Sequence, residues 1–512
     1  MTSSVQADRR LILNGLLSCL LWLVLLTVNP GEIHAGSLLA GAARRDITDY
    51  DAGPVNDPLY VKVIALKSDN TWAVLISVDA VAIGEIGRIK NDFLPKLRGR
   101  LSSELSIPGS NVVVNASHCH GVVLPDITAL TFDAVQEAIS SMVPVYVGSG
   151  RSEEHRISEN RRLKRKNGKE IDVRHAYPLP ADNEISDVAP IDPEIGILKL
   201  QREDGSTLGV IYNFACHPIQ GVPSKGNTAD IIGFSSKAIE ENLSRGATAL
   251  FLQGCGGDIN PTFYKDVNHP RSAEPLGNQL GLSTLRGIRQ INCGTDNRLS
   301  VINETLTLPR GDRTDRIAQL EAEQNRLLRQ FQGTSLNFET FLPLAVKYQV
   351  AKDYPSYYSH RYLYDDQQGR SDLKNLDAEN RKNIEAYLRN IAIMEELTRV
   401  QTNLALLHKH QASLVAAGSR TIDVEVLGLR IGDFVMITFP GELTSPIGMN
   451  IKKKSPHEKT FVAGYTNGYI YYAPTAEQLE NVGGAQEDSD CILAPEWQEI
   501  FETRAAELLK RL

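Results

Sequence analysis

The sequence predicts an α/β fold, a mixed β-sheet core layered with helices and carrying a helical insertion. Apolar runs rich in β-branched residues alternate with amphipathic stretches before residue 311 and resume after residue 418, as strands and helices do in one layered domain. Between these positions, long charged stretches carry apolar residues at helical spacing. We therefore expect one α/β domain that is interrupted by helices at 311–418.

Each predicted strand is a short apolar run, and each predicted helix repeats apolar residues every three or four positions. In chain order the predicted elements are strands at 61–66 and 72–78, a helix at 86–104, a strand at 111–114, a helix at 131–142, strands at 196–201 and 208–214, a helix at 233–243, a strand at 247–252, a helix at 275–290, strands within 421–439 and at 459–463, and a helix at 496–511. The cluster Ser68-Asp69-Asn70 predicts a hairpin turn. Residues 150–195 are polar and are predicted to be a long irregular loop, either at the rim of a site or partly mobile.

The composition argues against a disordered protein and against a nucleic-acid-binding protein. The chain has 512 residues, of which 42% are hydrophobic and 23% charged, so it can bury a large core and is not of disordered composition. The net charge of −8 gives no electrostatic basis for binding nucleic acid. The basic run at 161–169 is interpreted as a solvated loop, with contact to an anionic substrate as the alternative.

Residues 1–35 are predicted to be a signal peptide. Two arginines precede an apolar run at 11–28, and Ala35 ends a plausible cleavage site. The apolar run is also long enough to span a bilayer, so an uncleaved N-terminal anchor is one alternative and lipid modification of Cys19 is another. In each case we expect residues 36–512 to be exported, to a periplasm or to the outside of the cell.

Two histidine motifs follow predicted strands. His118 and His120 come directly after the apolar run at 111–114, and His217 comes after the run at 208–214. Neutral imidazoles at the ends of rigid strands suit a zinc site, although an HxH pair by itself is equally consistent with surface or structural histidines.

Two later segments supply further candidate ligands. Glu442 follows a β-rich run that stops at Pro440-Gly441, and Tyr472 belongs to a cluster of tyrosines after another strand. Two histidines and a glutamate are the protein ligands of many hydrolytic zinc enzymes, which leave one position open for water.

These segments resemble the motifs of the neutral/alkaline non-lysosomal ceramidases, zinc-dependent amidases that split ceramide into sphingosine and fatty acid. The segments that carry the resemblance are NASHCHG, NFACHP, FPGELT, GYTNGYIYYAPT and SENRR, in the family's order. The resemblance implies that Zn²⁺ is held by His118, His217, Glu442 and Tyr472. It also implies that His120 lies beside the substrate carbonyl and that Arg161 lines the active site.

Three departures from the family pattern bear on specificity. Asn260 stands where the family has a serine that some proposals treat as the nucleophile. The segment 477–490 carries glycine and acidic residues where the lipid amidases have an aromatic-rich tail with a second active-site tyrosine. The family's C-terminal β-domain is expected to be absent. Asn260 cannot act as a nucleophile, so we expect it to orient a water or an amide substrate.

The predicted function is therefore an exported zinc-dependent hydrolase that cleaves an amide (N-acyl) bond by zinc-activated water. The expected partner is a small or lipid-like N-acyl substrate, with peripheral membrane contact and no nucleic acid. One alternative is a hydrolase of polar N-acyl or ester substrates such as acylated sugars. Another is a non-catalytic metal-containing binding protein.

Two further sets of residues are assigned roles. Cys119, Cys216 and Cys255 lie inside the motifs and are interpreted as buried thiols, with metal thiolates as the alternative. Asp230 precedes a predicted helix and is expected either to cap that helix or to support a ligand histidine.

Overall fold

The computed structural model describes residues 38–174, 179–221, 226–262, 264, 268, 271–352, 360–481 and 483–512. The predicted signal peptide at 1–35 lies outside the described residues. Within them, no helix combines the length and the apolarity that crossing a membrane requires.

Nineteen strands form the β-structure of the described chain. They are β1 (Leu38–Asp46), β2 (Tyr60–Ser68), β3 (Thr71–Val78), β4 (Val112–Ala116), β5 (Val143–Glu153), β6 (Ser158–Asn160), β7 (Arg162–Arg165), β8 (Glu170–Asp172), β9 (Ile185–Val188), β10 (Glu194–Arg202), β11 (Thr207–Phe214), β12 (Thr248–Gln253), β13 (Ile259–Pro261), β14 (Leu299–Pro309), β15 (Thr421–Ile431), β16 (Phe434–Thr438), β17 (Glu442–Leu443), β18 (Thr460–Ala463) and β19 (Tyr472–Ala473).

Twelve α-helices accompany them in the described residues. They are α1 (Phe93–Leu105), α2 (Thr128–Ser140), α3 (Asp230–Glu241), α4 (Glu274–Ile288), α5 (Thr314–Arg329), α6 (Phe338–Val350), α7 (His360–Gln367), α8 (Asp372–Ala417), α9 (Ser445–Lys454), α10 (Ala476–Glu480), α11 (Gln486–Ser489) and α12 (Trp497–Arg511).

The largest sheet has eight strands in the order β12-β11-β10-β5-β1-β2-β3-β4. Its β3–β4 and β11–β12 pairs are parallel and its other pairs are antiparallel. A four-stranded sheet in the order β14-β15-β16-β18 packs against it. Leu75, Leu198, Leu250, Leu429 and Phe461, contributed by both sheets, share one buried cluster. The predicted mixed α/β core is confirmed.

Strands β4, β11 and β12 are buried along their whole length. A strand that is covered on both faces must be apolar on both faces, which is why these segments are continuous apolar runs rather than alternating ones. Side chains that follow such strands emerge directly from the core, and the two histidine motifs do so.

Between β14 and β15 the described residues include helices α5 to α8, of which α8 has 46 residues. Strands β14 and β15 pair antiparallel over their full length, from Leu299↔Ile431 to Pro309↔Thr421. The helices of the predicted insertion at 311–418 therefore leave and re-enter the core at one end of a single strand pair.

Two expectations for residues 150–195 are wrong. This stretch is not mainly irregular, because β7, β8 and β9 form a three-stranded sheet within it and β6 pairs with β13. The basic run at 161–169 is not simply a solvated loop, because Arg161 and Arg162 are 2% and 0% exposed. Polar composition suggested a loop here, but Arg161 and Arg162 are paired with carboxylates inside the protein.

Candidate metal centre and its surroundings

His118 is held rigidly just beyond the end of β4. Its backbone has a φ of 66°, a left-handed conformation that is uncommon for a residue with a Cβ. Its N–H donates to the carbonyl of Ala80 at 3.0 Å, and its Nδ1 lies 2.6 Å from the carbonyl oxygen of Val81. These bonds orient the ring so that Nε2 faces the interior of the site.

His217 is held in the same way beyond the end of β11. Its N–H donates to the carbonyl of Ile259 at 3.0 Å. Its Nδ1 lies 2.6 Å from the carbonyl oxygen of Gly256 and 3.1 Å from that of Ile259. The Nε2 atom again points into the site.

A buried amide joins the two histidine segments. Gln253, at the end of β12, donates through its Nε2 to the carbonyls of Ser117 at 3.1 Å and Cys216 at 2.8 Å. These are the residues immediately before His118 and His217. The Gln253 backbone N–H also donates to Asn115 Oδ1 at 2.8 Å. One residue therefore sets the separation of the two candidate ligands.

Glu442 comes from the second part of the chain, where β17 pairs in parallel with β19 and places Glu442 opposite Tyr472. Tyr469 donates to its Oε1 at 2.5 Å, and Tyr465 donates to its Oε2 at 3.3 Å. Although burial opposes its ionisation, the pKa of the Glu442 carboxyl is held well below its usual value, and the Tyr469 hydroxyl that donates to it contributes to this.

His118, His217 and Glu442 converge, and their ligand atoms all lie within 4.8 Å of one another. His217 Nε2 is 3.1 Å and His118 Nε2 is 3.6 Å from Glu442 Oε2. Because each Nδ1 faces a carbonyl oxygen, each Nδ1 carries the ring proton and each Nε2 presents a lone pair.

Burial lowers the pKa of both histidines, that of His118 to about 4, which favours neutral rings at neutral pH. Two lone pairs and a carboxylate oxygen thus face one another with no proton between them. This is an unfavourable arrangement that a cation relieves, and two neutral imidazoles with one carboxylate is a donor set that zinc prefers. The residues present fit a metal ion.

Arg161 and Tyr472 form one wall beside this cluster. Arg161 Nη2 donates to the Tyr472 hydroxyl oxygen at 3.1 Å and to the carbonyl of Gly257 at 2.5 Å. The Tyr472 ring lies 6.4 Å from that of His217, centroid to centroid. The assignment of Tyr472 as a metal ligand stays a prediction.

Of the remaining two predicted site residues, His120 lines the cavity and Asn260 is buried beside it. His120 is exposed and lines the same cavity as the metal cluster, with its ring 5.4 Å from that of His118. Asn260 is 1% exposed, and its Oδ1 accepts from Arg161 Nη1 at 3.1 Å. Asn260 therefore lies behind Arg161, and among the described residues it is not part of the cavity lining.

The cavity over the cluster has a volume of about 510 Å³. Most of its described lining residues are polar or charged, although polar and apolar atoms contribute similar shares of its surface; its aliphatic members are Val81, Ile86, Pro218 and Ile219. Arg174, Gln486 and Asp490 line it in addition to the predicted residues. A cavity of this size and chemistry can hold a small molecule with several hydrogen-bonding groups.

Asp230 is the first residue of α3, after the N-cap Ala229, and its carboxylate binds backbone N–H groups rather than a ligand histidine. It accepts from the N–H of Ile231 at 2.8 Å, and it also accepts from the N–H groups of Gln220 at 3.2 Å and Gly221 at 2.5 Å. The latter two bonds hold the loop that follows His217, and Asp230 itself lines the cavity.

The cysteines in the motifs are buried free thiols. Cys119, Cys216 and Cys255 are buried and unpaired, and burial raises the pKa of each. A thiol kept protonated is a poor metal ligand and a poor nucleophile, which favours the packing role.

Sequence reasoning missed several residues of the site. Tyr469 was noted only as part of a tyrosine cluster, and Gln253, Arg174 and Glu487 were given no role. One signal for Glu487 was available, since the segment 477–490 is acidic while 161–166 is basic. Charges of opposite sign in two segments suggest that the segments pair, but they do not say which residues meet.

Comparisons with known proteins give one consistent result. A structure of neutral ceramidase from Pseudomonas aeruginosa superposes with a TM-score of 0.56 at 15% identity, over 93% of this chain and 75% of the other. A structure of a ceramidase complexed with C2 gives a TM-score of 0.58 at 14% identity, over 93% and 76% of the two chains. The chain has a ceramidase-like fold. No protein-family model matches the sequence, and no curated protein matches it.

Proposed function

We propose that this protein is a zinc-dependent amidohydrolase that cleaves an N-acyl bond with an activated water. The observation that carries the proposal is the convergence of two histidine lone pairs and an ionised glutamate, all held by buried hydrogen bonds, beneath a cavity. The ceramidase-like fold supports the same reaction class, because two structures named as ceramidases share it.

In this proposal His118, His217 and Glu442 hold the zinc ion, and Tyr472 is a fourth ligand. When bound, a zinc ion would supply Lewis acidity, which would polarise a substrate carbonyl and make a nearby water more acidic. The protein supplies the fixed geometry. Val81 and Gly256 hold the two imidazoles through their carbonyls, and Tyr469 holds the carboxylate.

His120 is the proposed proton carrier. It is the exposed histidine of the cavity, and its ring stands edge-on to that of His118. From this position it takes a proton from the attacking water or donates one to the leaving amine, the role that general acid–base catalysis requires.

Tyr472 and Arg161 are proposed to bind the substrate carbonyl. When Tyr472 is not bound to the metal, its oxygen accepts from Arg161, and the tyrosine's own proton is then available for donation in another direction. A donor at that position would stabilise the oxyanion that forms during attack on the carbonyl. Asn260 is proposed to contribute through Arg161 rather than by contacting the substrate.

The experiment combines metal analysis with a substrate panel. Wild-type protein should contain about one zinc per chain, since the cluster offers a single donor set. His118→Ala and His217→Ala should lose most of it, whereas His120→Ala should keep it. His120→Ala should nevertheless lose activity by roughly 100- to 10,000-fold, because it removes a proton carrier but no ligand. Zinc contents like that of the wild type in all three variants would refute the site.

The polar lining of the cavity favours a second candidate substrate class, polar N-acyl or ester compounds such as acylated sugars. Arg174, Gln486 and Asp490 are suited to hydroxyl groups rather than to a long hydrocarbon chain. A panel that compares N-acyl lipids with N-acyl sugars distinguishes the two. Turnover of the lipids alone would exclude the polar class.

We also propose that the protein is exported through its N-terminal segment, which lies outside the described residues. Sequencing the mature N-terminus should locate cleavage near Ala35. Recovery of intact Met1 in a membrane fraction would show that the segment is an anchor.

A further inference from the structure

A chain of buried charges of alternating sign runs from the long helix α8 to the wall of the candidate site. Arg399 of α8 is 2.6 Å from Asp172 Oδ1, and Asp172 also pairs with Arg174. Arg174 Nη2 is 2.9 Å from Glu487 Oε1, and Arg161 Nε is 2.5 Å from the same oxygen. The chain ends at the cavity, where Arg161 donates to Tyr472.

Glu487 is the central member of this chain. It lies in the short helix α11 and is 0% exposed. Its Oε1 accepts from both Arg161 and Arg174, and its Oε2 is 3.4 Å from Arg162 Nη1. A carboxylate withdrawn from water is tolerated only where cations and donors replace the lost hydration, and three guanidinium groups do so here.

Glu487 determines where the Arg161 guanidinium lies. The other hydrogen bonds of Arg161 go to the carbonyl of Gly257, to Asn260 Oδ1 and to the Tyr472 hydroxyl oxygen. These three partners are uncharged, so within the described part of the chain Glu487 is the one ionised acceptor among the hydrogen-bond partners of Arg161. Charge-assisted bonds are roughly twice as strong as neutral ones, and this bond therefore dominates the orientation of the guanidinium plane.

We infer that Glu487 is a positioning residue for the proposed hydrolysis. It holds Arg161 against the Tyr472 oxygen, and so it directs the Tyr472 proton into the cavity. The inference rests on the proposed function for its catalytic consequence. Its geometric part, that Glu487 keeps Arg161 on Tyr472, stands independently of any reaction.

The neighbouring Asp488 offers a matched control. It also sits in α11, and its carboxylate pairs with Arg162 at 2.8 Å and accepts from Asn481 at 3.3 Å. Asp488 has no recorded contact with Arg161 or Tyr472 in the described residues. Replacing it removes a carboxylate from the same helix that shares Arg162 with Glu487 but makes no bond to Arg161 or Tyr472 in the described residues.

The experiment compares Glu487→Gln, Glu487→Asp and Asp488→Asn with the wild type. Zinc content, thermal unfolding, kcat and KM are measured for each on whichever amide or ester the substrate panel identifies. Glu487→Gln should lower kcat at least tenfold, with KM changed less than threefold and zinc retained. The reason is that a misdirected Tyr472 stabilises the transition state less, while binding of the substrate in the ground state is unchanged. Glu487→Asp, which keeps the charge, should restore part of the loss, and Asp488→Asn should stay within threefold of the wild type.

Crystal structures of Glu487→Gln and Asp488→Asn supply the readout that does not depend on turnover. The hydrogen bond from Arg161 to the Tyr472 oxygen should be broken in Glu487→Gln and kept in Asp488→Asn. If Arg161 keeps its place in Glu487→Gln, or if kcat falls equally in the two variants, the positioning role is wrong. A wild type that turns over nothing, together with the expected displacement of Arg161, would refute the proposed function and leave the geometric inference intact.

Discussion

At the scale of single residues, the candidate site depends on hydrogen bonds that orient side chains before any ligand arrives. The carbonyls of Val81 and Gly256 fix the tautomers of His118 and His217. Glu442 is fixed in turn by the hydroxyl of Tyr469. Partners of this kind, one step removed from the metal, typically contribute a factor of about 10 to 100 in metal affinity.

Tyr469→Phe tests whether these hydrogen bonds support metal binding. The substitution removes the donor to Glu442 Oε1 and keeps the ring, so zinc affinity should fall by about tenfold or more while the fold is retained. Competition with a chelator measures the affinity. Tyr471→Phe is the control, because the Tyr471 hydroxyl lies 3.4 Å from Glu85 and does not contact Glu442. Equal affinities in the two variants would mean that Tyr469 does not support the ligand.

Asp79 provides a test of buried charge away from the metal cluster. Burial raises its pKa to about 6 from 3.8, so the folded protein keeps this proton to a higher pH than the unfolded chain does. Between these pH values the unfolded chain binds fewer protons, and the contribution of Asp79 to stability therefore decreases as pH rises, until it levels off above pH 6.

Asp79→Asn removes this dependence. The free energy of unfolding of the variant minus that of the wild type should therefore increase by on the order of 2 kcal/mol when the pH is raised from 4 to 7.5. Urea unfolding at the two pH values measures the difference. A stability difference that does not change with pH would show that Asp79 titrates normally.

At the scale of secondary structure, the candidate metal ligands are brought together by the ends of strands. His118 follows β4 and His217 follows β11, and both strands are buried throughout. Glu442 and Tyr472 face each other across the short parallel pair of β17 and β19. Gln253, at the end of β12, links the first two strand ends through its side-chain amide.

Gln253→Leu should therefore lower the zinc affinity of the site in addition to the stability of the fold. Loss of both amide bonds leaves two buried carbonyls unpaired, which costs about 1–3 kcal/mol each, and it frees the two histidine segments to move apart. We expect lower stability together with roughly tenfold lower zinc affinity, by analogy with other outer partners of metal ligands.

Asn213→Leu is the matched control for Gln253→Leu. Asn213 is also buried and also bridges two carbonyls, those of Leu252 at 2.9 Å and Val462 at 3.2 Å, but neither adjoins a histidine ligand. It should lose stability without a matching loss of zinc affinity. Parallel losses in both variants would indicate a general effect of destabilisation.

At the scale of the whole molecule, the site lies where distant parts of the chain meet. The two histidine segments, the β17–β19 pair and the buried charges that reach α8 all surround one cavity. A cation bound here would link these parts of the chain, and binding to the folded state alone would stabilise that state by mass action.

Removal of the metal should accordingly lower the Tm. Without a cation, the lone pairs of His118 and His217 face the Glu442 carboxylate unpaired. At a free zinc concentration 100 times the Kd, linkage predicts a stabilisation of about 2.7 kcal/mol. Calorimetry before and after chelation measures the shift, with re-addition of Zn²⁺ and of Mg²⁺ as the comparison. A Tm that neither chelation nor zinc changes would contradict a metal bound at this cluster.

The sequence by itself determined the layered α/β core and most of its strands, because the burial of each strand is encoded locally in a run of β-branched residues. It also identified His118, His217 and Glu442 as candidate ligands, since each directly follows such a run. The extent of the helices in 230–290 was predicted to within three residues at either end. Local pattern sufficed for these features because strands and helices form from neighbouring residues.

Only the tertiary structure decided which of these residues meet. His217 and Glu442 are 225 positions apart, and Arg161 and Glu487 are 326 apart. No periodicity encodes such pairs, and an arginine in a polar stretch looks the same whether solvent or a buried carboxylate neutralises it. The two expectations for residues 150–195 were wrong for that reason, and the role of Glu487 became visible only once the chain was folded.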